Sequence, residues 1–421
     1  MTRAAVLRRV AGSGLARDTG WALTAEVLRL ATSLGAFLVV THLLSPGEYG
    51  VYIGTLGLMW FVLPFASCGA AYLLLQRVAG EGVDLATAMG RANGMVVTGG
   101  VLVTLLIALT RPVLLPQTPA LVIVLLALAE LVFGGMTETS MLAGQALGRL
   151  RLTVWVRLLQ GASRLVAAVG LIVVDPAATL VEWAWLHLAT AAVAALAGQW
   201  LLRVPGPARI PLHRPRLVEV TRGFPFSVGF GAEKFRESAD SMLLLRIGTA
   251  TDTGIFGAAV RLLNLALTPL MALIASSNAR IFAAGARSVG AARAVARRVT
   301  AIGLAYAAVA AVVVAVAGPV AVAFLPAGYA AAGDALRLLA VLPIAVAAES
   351  FVATAMTAIG HQRIRVASVL AGTAVNVALN VALIPTWGWR GVVVASVAAS
   401  VLNTTLLWSA IMVLAARERR T

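Results

Sequence analysis

Residues 293–317 read RAVARRVTAIGLAYAAVAAVVVAVA, and this stretch decides the class of the protein. Three arginines precede 19 consecutive residues, 299–317, that carry no charged side chain. A helix needs about 20 mostly apolar residues to cross a bilayer. The stretch therefore predicts a membrane-spanning helix whose basic end lies in water.

The composition of the whole chain supports the same conclusion. Its 421 residues are 60% hydrophobic and 12% charged, and the mean hydropathy is +0.94. Soluble domains carry about 25% charged residues, so these charges are too few to cover the surface of a soluble protein. The single cysteine, Cys68, also excludes an internal disulfide and a cysteine-based metal cluster.

Apolar segments of spanning length recur along the chain and predict an all-α polytopic membrane protein with about twelve transmembrane helices. The fifth, seventh and tenth segments also contain charged residues. The predicted spans are 24–44, 51–75, 92–110, 120–143, 153–174, 179–202, 224–245, 255–276, 299–317, 336–359, 366–384 and 391–414.

The distribution of basic residues predicts the orientation of these spans. The net charge is +16, and every base except Lys234 is an arginine. Twenty-three bases lie before the first span, in alternate loops and after the last span, whereas the opposite loops and span ends hold only Arg111, Arg246, Arg337 and Arg390. The positive-inside rule then places both termini in the cytoplasm. The net charge is thus explained by topology and by anionic lipid headgroups, and we expect no nucleic-acid partner.

An internal repeat relates the two halves of the chain. Three pairs of similar segments follow in order, at offsets of 204, 212 and 209 residues: 50–52 with 254–256, 146–152 with 358–364, and 171–176 with 380–385. An even number of helices per repeat makes both halves enter from the same side. This predicts two six-helix lobes in a parallel repeat, an arrangement that suits alternating access. A gene duplication without a transport role is the alternative.

The predicted organisation has five parts. A basic cytoplasmic segment, 1–23, precedes an N-lobe, 24–202. A proline-rich basic linker, 203–222, leads to a C-lobe, 223–414, and a basic cytoplasmic tail, 415–421.

Three motifs resemble a known family. HLLSPGEYGVY at residues 42–52 resembles the LLxPxxYGxY turn between the first two helices of bacterial oligosaccharide and polysaccharide flippases. GIFGAAVR at 254–261 resembles the start of their eighth helix, and NVALNVALIP at 376–385, with Trp387-Gly388 and Gly391, is similar to their junction of helices 11 and 12. The resemblance covers essentially the whole chain. It implies the multidrug/oligosaccharidyl-lipid/polysaccharide exporter fold, a lipid-linked glycan as cargo and no ATPase.

The seventh span carries an unusual density of charge. On a helix, four of its charged residues fall within an arc of about 100°, flanked by Lys234. Such a face is costly in lipid, so we expect it to line a wet cavity and, with Glu26 of the first span, to form a proton or cation site. The alternatives are a self-neutralised network or a span that begins later. The four residues are Glu233, Arg236, Glu237 and Asp240.

Basic residues within the spans are candidates for binding a diphosphate. Arginine binds phosphate through a planar, permanently charged fork. The resemblance implies basic residues on helices 1, 7 and 8 around the cavity, which Arg29, Lys234, Arg236 and Arg261 match by helix rather than by motif. For Arg29, snorkelling to the cytoplasmic headgroups is the alternative.

Other polar residues also fall inside predicted spans. Asparagines there are expected to be hydrogen-bond partners between helices, and His187 to be structural or interfacial. Two of the acids, Glu138 and Glu349, occupy nearly equivalent positions of the repeat. The set is Glu130, Glu138, Arg164, Glu182, His187, Glu349, Asn376, Asn380 and Asn403.

These observations predict an alternating-access flippase in the bacterial cytoplasmic membrane. Its cargo would be a polyprenyl-diphosphate-linked oligosaccharide for cell-surface polysaccharide, with a proton or Na⁺ as coupling ion and a glycan polymerase or export machinery as partner. The chain has no GxxxxGK[ST] motif, and we expect neither enzymatic activity nor a cofactor. The alternatives are a cation-coupled multidrug exporter, which favours an acidic, aromatic-lined pocket, and a non-transporting scaffold for glycan assembly.

Overall fold

A computed structural model describes residues 27–202 and 212–418, and in this part of the chain every regular element is helical. The predicted segment 1–23, residues 203–211 of the linker and residues 419–421 of the tail lie outside the described residues. The longer helices are α1 (Val27–Leu43), α2 (Pro46–Ala66), α3 (Ala70–Ala79), α4 (Leu85–Leu114), α5 (Ala120–Ala127), α6 (Gly135–Ala146), α7 (Leu150–Val174), α8 (Leu180–Leu202), α9 (Leu217–Ile247), α10 (Ala250–Gly285), α11 (Val289–Val322), α12 (Ala332–Leu339), α13 (Leu342–Ala358), α14 (Gln362–Trp387) and α15 (Trp389–Glu418). A π turn, Leu128–Gly134, joins α5 to α6, and a 3₁₀ turn, Ala327–Tyr329, precedes α12.

The helices confirm the prediction of an all-α, multi-pass membrane protein. Among the described residues, nine helical segments are long and apolar enough to cross a membrane. A tenth is added if Ala327–Leu339 and Leu342–Ala358, which bend by 44° at their junction, form one broken span. The first and seventh predicted spans correspond to α1, whose described part is short, and to α9, which carries the charged residues.

The chain divides into two compact units. The described part of unit 1 lies within Met1–Leu44 and Thr55–Phe235, and that of unit 2 within Ser45–Gly54 and Arg236–Thr421. The start of α2 thus belongs to unit 2, and α9 contributes residues to both units. The lobe boundaries predicted from the sequence stay a prediction.

Each unit has its own apolar core. In unit 1, Leu74, Met89 and Val96 pack with α6 and α8. In unit 2, Phe351 and Met356 of α13 pack between α10, α11 and α15. Lipid tails are as apolar as these side chains, so close packing rather than exclusion of water must hold the helices together.

The internal repeat is visible in how equivalent helices begin. Ser45 precedes α2, and its backbone N–H and Oγ donate to Glu48 Oε2 at 3.0 and 2.8 Å. Thr249 caps α10 in the same way: its Oγ1 donates to Asp252 Oδ2 at 2.9 Å and accepts from the Asp252 N–H at 3.0 Å. The two capping boxes are 204 residues apart, the offset predicted for this pair.

The same two helix starts pack against each other within unit 2. A Cβ atom on Gly50 would lie 2.6 Å from the Gly254 nitrogen and would overlap the Ala250 carbonyl oxygen. A Cβ atom on Gly254 would lie 2.8 Å from the Pro46 carbonyl carbon and 3.1 Å from the Gly50 nitrogen. The contact is reciprocal. Gly50 lies against Gly254 and Ala250, and Gly254 lies against Gly50 and Pro46.

The second predicted pair also has matching local structure, whereas the third does not. Gly148 and Gly360, 212 residues apart, end α6 and α13 with φ of 68° and 78°. In both, the N–H of the next residue donates to the carbonyl oxygen five residues earlier: Arg149 N–H to Gly144 O at 2.7 Å, and His361 N–H to Met356 O at 2.9 Å. By contrast, α7 ends at Val174 before its proline, and α14 continues through its proline to Trp387.

Candidate functional site

The charged segment of α9 is exposed along most of its length. Glu233, Lys234, Arg236 and Glu237 are exposed, whereas Asp240 is half-buried. An ionised side chain in the middle of a bilayer costs about 3 kcal/mol, so these groups are expected to face water or polar partners. These side chains are therefore not packed within the helices, and the predicted wet cavity stays a prediction.

Asp240 lies in a polar cluster of unit 2 that we call the Asp240 cluster. Its Oδ1 accepts from Asn380 Nδ2 at 2.8 Å, and its Oδ2 accepts from Ser396 Oγ at 2.6 Å. Asn376 also hydrogen-bonds to Asp240 and accepts from Asn380 Nδ2 at 3.1 Å. The cluster therefore joins α9, α14 and α15.

One hydrogen-bond acceptor of the Asp240 cluster has no donor among the described residues. Asn380 is fully buried, and within the described residues its Oδ1 accepts no hydrogen bond. A buried amide oxygen without a donor costs about 1–3 kcal/mol. Carboxylate, amide and hydroxyl oxygens are ligands that hard cations prefer, so the cluster has the chemistry to hold a small cation or a proton. The sequence predicted Asp240 as an ion site but assigned the asparagines only to helix packing.

The two nearly equivalent acids of the repeat each lie near a base of α9. In unit 1, Glu138 interacts electrostatically with Lys234. In unit 2, Glu349 interacts electrostatically with Arg236 and Arg365, and it hydrogen-bonds to Asn403. Lys234 and Arg236 are therefore partly neutralised within their own units, which weakens both as candidate diphosphate ligands.

Arg261 and Arg29 differ in exposure. Arg261 is exposed about 16 Å along α10 and interacts electrostatically with Tyr49, which lies in the segment 45–52 of unit 2. Arg29 is half-buried near the start of the described part of α1. Glu26 lies outside the described residues. Of the four predicted bases, Arg29 and Lys234 belong to unit 1, and Arg236 and Arg261 to unit 2. Their arrangement around a single cavity stays a prediction.

Sequence reasoning missed an aromatic cluster in unit 1. Tyr72 stacks on Phe230 with ring centroids 3.6 Å apart and lies 6.3 Å from Phe226. Tyr72 also interacts electrostatically with Glu138 and Glu233. A second group is formed by Phe61, Phe65 and Phe235. The i,i+4 spacing of Phe226 with Phe230 and of Phe61 with Phe65 was the available signal.

A second polar cluster, the Glu130 cluster, is buried in unit 1. Glu130 Oε1 lies 2.9 Å from His187 Nε2 and accepts from Arg164 Nη2 at 3.0 Å. Its Oε2 accepts from Trp60 Nε1 at 3.1 Å. Glu130 is part of the π turn, a feature that often marks a functional position in a helix. Three polar residues that the sequence could only place in separate spans are thus brought together.

Ion pairs hold the start of α9 against α3 and α4. Glu219 Oε1 accepts from Arg77 Nη1 and from Arg91 Nη1, both at 2.7 Å. Burial alone would raise the pKa of the Glu219 carboxyl, but these two hydrogen bonds outweigh it and hold that pKa below its ordinary value. The backbone N–H of His213 also donates to Gly90 O at 2.8 Å. These contacts hold the described end of the linker against unit 1.

Comparison with known proteins shows similarity at the level of fold. No family model and no curated protein sequence matches the chain. An inward-facing multidrug resistance MATE family transporter of the MOP superfamily superposes with a TM-score of 0.74 and 15% identity, over 92% of this chain and 95% of that chain. The lipid II flippase MurJ, in an inward closed conformation, superposes with a TM-score of 0.67 and 11% identity, over 93% and 87%.

An outward-facing MATE transporter matches less closely, with a TM-score of 0.56, 14% identity and 93% coverage of both chains. The fold is therefore one that multidrug exporters and a lipid flippase share. The chain is a multi-pass membrane protein with the fold of the MOP superfamily of transporters.

Proposed function

We propose that this protein is an alternating-access flippase. It translocates a polyprenyl-diphosphate-linked oligosaccharide from the inner to the outer leaflet of the bacterial cytoplasmic membrane, for cell-surface polysaccharide synthesis. The similarity in fold to a lipid II flippase agrees with a lipid-linked cargo. A glycan polymerase or export machinery would take up the product.

The observation that carries this proposal is Arg261. It places a permanent positive charge on an exposed surface of a long apolar helix, well inside its length. A cation exporter gains nothing from such a charge, because it repels the cargo. A diphosphate, in contrast, is bound by a guanidinium through charge-assisted hydrogen bonds. Arg29 would contribute to binding of the headgroup while the lipid tail stays in the bilayer. Lys234 and Arg236 would do so in competition with Glu138 and Glu349.

The Asp240 cluster supplies a site for the coupling ion. A cation bound there would give Asn380 Oδ1 a partner and would neutralise Asp240. Asp240 of α9 accepts hydrogen bonds from Asn380 of α14 and Ser396 of α15, so the site joins these three helices. Loading of the ion would thereby bias the packing of α9 against its neighbours in unit 2. A ligand shifts a conformational equilibrium only by its difference in affinity for the two states.

The test is transport of a fluorescent polyprenyl-diphosphate oligosaccharide in proteoliposomes, with dithionite bleaching the fluorophore that reaches the outer leaflet. Arg261→Ala should lower the transport rate about tenfold, the value of one charge-assisted hydrogen bond. Arg246→Ala removes an exposed arginine at the end of α9 and is the matched control. Full transport by Arg261→Ala and by the combined Arg29/Arg236 variant would refute the assignment.

The aromatic cluster favours a second candidate, a cation-coupled multidrug exporter. Stacked rings beside the acids Glu138 and Glu233 are the kind of surface that binds an organic cation. Expression in a drug-sensitive host tests this directly. Resistance that is lost in Tyr72→Ala and Glu138→Gln, with surface glycan unchanged, would favour the exporter over the flippase.

A further inference from the structure

An apolar groove of about 460 Å³ opens in unit 2 beside the turn between α14 and α15. Trp387 and Arg390 line its end at the turn, and Leu338 of α12 lines its side. The rest of the groove is formed by one face of α15, with the spacing i, i+3, i+4, i+7 and i+8 from Arg390. The residues on that face are Val393, Val394, Val397 and Ala398.

The groove is charged at one end and apolar along the rest of its length, as a phospholipid is. From Arg390 to Ala398, α15 rises about 12 Å, and every lining residue after Arg390 on that face is apolar. The positive end lies at the turn, on the predicted outer side of the membrane, where the exposed Trp387 suits the headgroup region. One charge at the interface followed by an apolar channel matches a phosphate followed by an acyl chain.

Arg390 is preorganised for this role. Its guanidinium carbon lies 4.8 Å from the centroid of the buried Trp389 ring, within the range of a cation–π interaction. Within residues 27–202 and 212–418, Arg390 forms no ion pair. Asp252 lies against Gly388 nearby, but it is engaged by the Thr249 cap. The positive-inside rule also gives no reason for an arginine on this side of the membrane.

We infer that this groove binds an anionic phospholipid, with the phosphate on Arg390 and one acyl chain along α15. The site shares no residue with the proposed diphosphate site, since all its residues belong to α12, α14 and α15. A bound lipid there would hold the short helix α12 against α15.

The experiment is native mass spectrometry of the full-length protein, incubated in detergent with phosphatidylglycerol or phosphatidylcholine. The wild type should retain one phosphatidylglycerol in preference to phosphatidylcholine. Arg390→Gln removes the charge and should lower phosphatidylglycerol retention about tenfold. Ala398→Phe fills the channel, keeps the charge and should lower retention of the same lipid.

Arg337→Gln is the matched control, because Arg337 is an exposed arginine of α12 that pairs with Asp334 at 3.2 Å and does not line the groove. It should retain phosphatidylglycerol as the wild type does. Unchanged retention in Arg390→Gln and Ala398→Phe, or an equal loss in Arg337→Gln, would overturn the inference. Preferential retention of a polyprenyl phosphate over phosphatidylglycerol would overturn the assignment to a phospholipid.

Discussion

The crossing of α2 and α10 leaves no room for a methyl group at Gly50. The added Cβ of Gly50→Ala would lie 2.6 Å from the Gly254 nitrogen, whereas ordinary contact requires at least 3.4 Å. The helices would have to separate by about 0.8 Å, and by more to clear the Ala250 carbonyl oxygen. Backbone atoms cannot rotate away as a side chain can. Overpacking of this kind costs about 1–3 kcal/mol, and we expect the upper end of that range.

Gly170→Ala is the matched control for this substitution. Gly170 is also helical, in α7, and a Cβ there would meet no atom within 4 Å. Alanine is favoured over glycine in a helix by about 1 kcal/mol, so this variant should equal or exceed the wild type in stability. The assay is the fraction of monodisperse protein left after heating in detergent, followed by size-exclusion chromatography.

The reciprocal contact leads to the same expectation for Gly254. Gly254→Ala should destabilise as much as Gly50→Ala, because it meets the same crossing from the other helix. The double variant should lose less than the sum of the two, since the first substitution already separates the helices. Equal melting of Gly50→Ala and Gly170→Ala would refute the reasoning, as would strict additivity of the pair.

Three further predictions follow from the polar clusters. Glu219→Gln should lower the melting temperature near pH 7. The pKa of Glu219 is lower in the folded protein than its unfolded value of about 4.5. The carboxylate therefore stabilises the fold above the unfolded pKa, and this stabilisation is lost as the pH falls through the folded pKa. The melting temperatures of wild type and variant should converge in acid. Asp240→Asn should abolish the response of transport to an imposed Na⁺ or proton gradient, whereas Asp334→Asn, at an exposed pair, should retain it. Glu130→Gln leaves the Arg164 charge without its counter-ion and should cost about 3 kcal/mol in thermal stability, and Trp60→Phe, which removes one hydrogen bond, about 1 kcal/mol.

Hydropathy and charge predicted the class of fold because both are properties of local sequence. A window of 20 residues detects a span such as α11 without knowledge of its neighbours, and the capping residues Ser45 and Thr249 lie beside the helices that they begin. The same window predicted only 224–245 for the seventh span, whereas α9 runs from Leu217 to Ile247, because charged residues lie within and beside the apolar segment.

The polar clusters could be predicted only in part, because they depend on which helices become neighbours. Glu130 and His187 are 57 positions apart, and Asp240 and Ser396 are 156 apart, so no periodicity connects them. The π turn that carries Glu130 has no composition that separates it from the flanking α-helix. Sequence reasoning chose Asp240 for its charge but could not identify Asn380 as the residue with an unsatisfied oxygen.

The reciprocal contact of Gly50 and Gly254 has the form of an isologous interface within one chain. The segment 46–50 meets its own counterpart, 250–254, as the same patch does on two subunits related by a twofold axis. A six-helix protein with a single copy of this segment would therefore carry a patch that is complementary to itself. In the present chain the two copies are covalently joined, so their sequences can differ elsewhere while the two glycines keep the close crossing. The two copies of the segment can then differ in the side chains around the crossing, although both glycines are required at its centre.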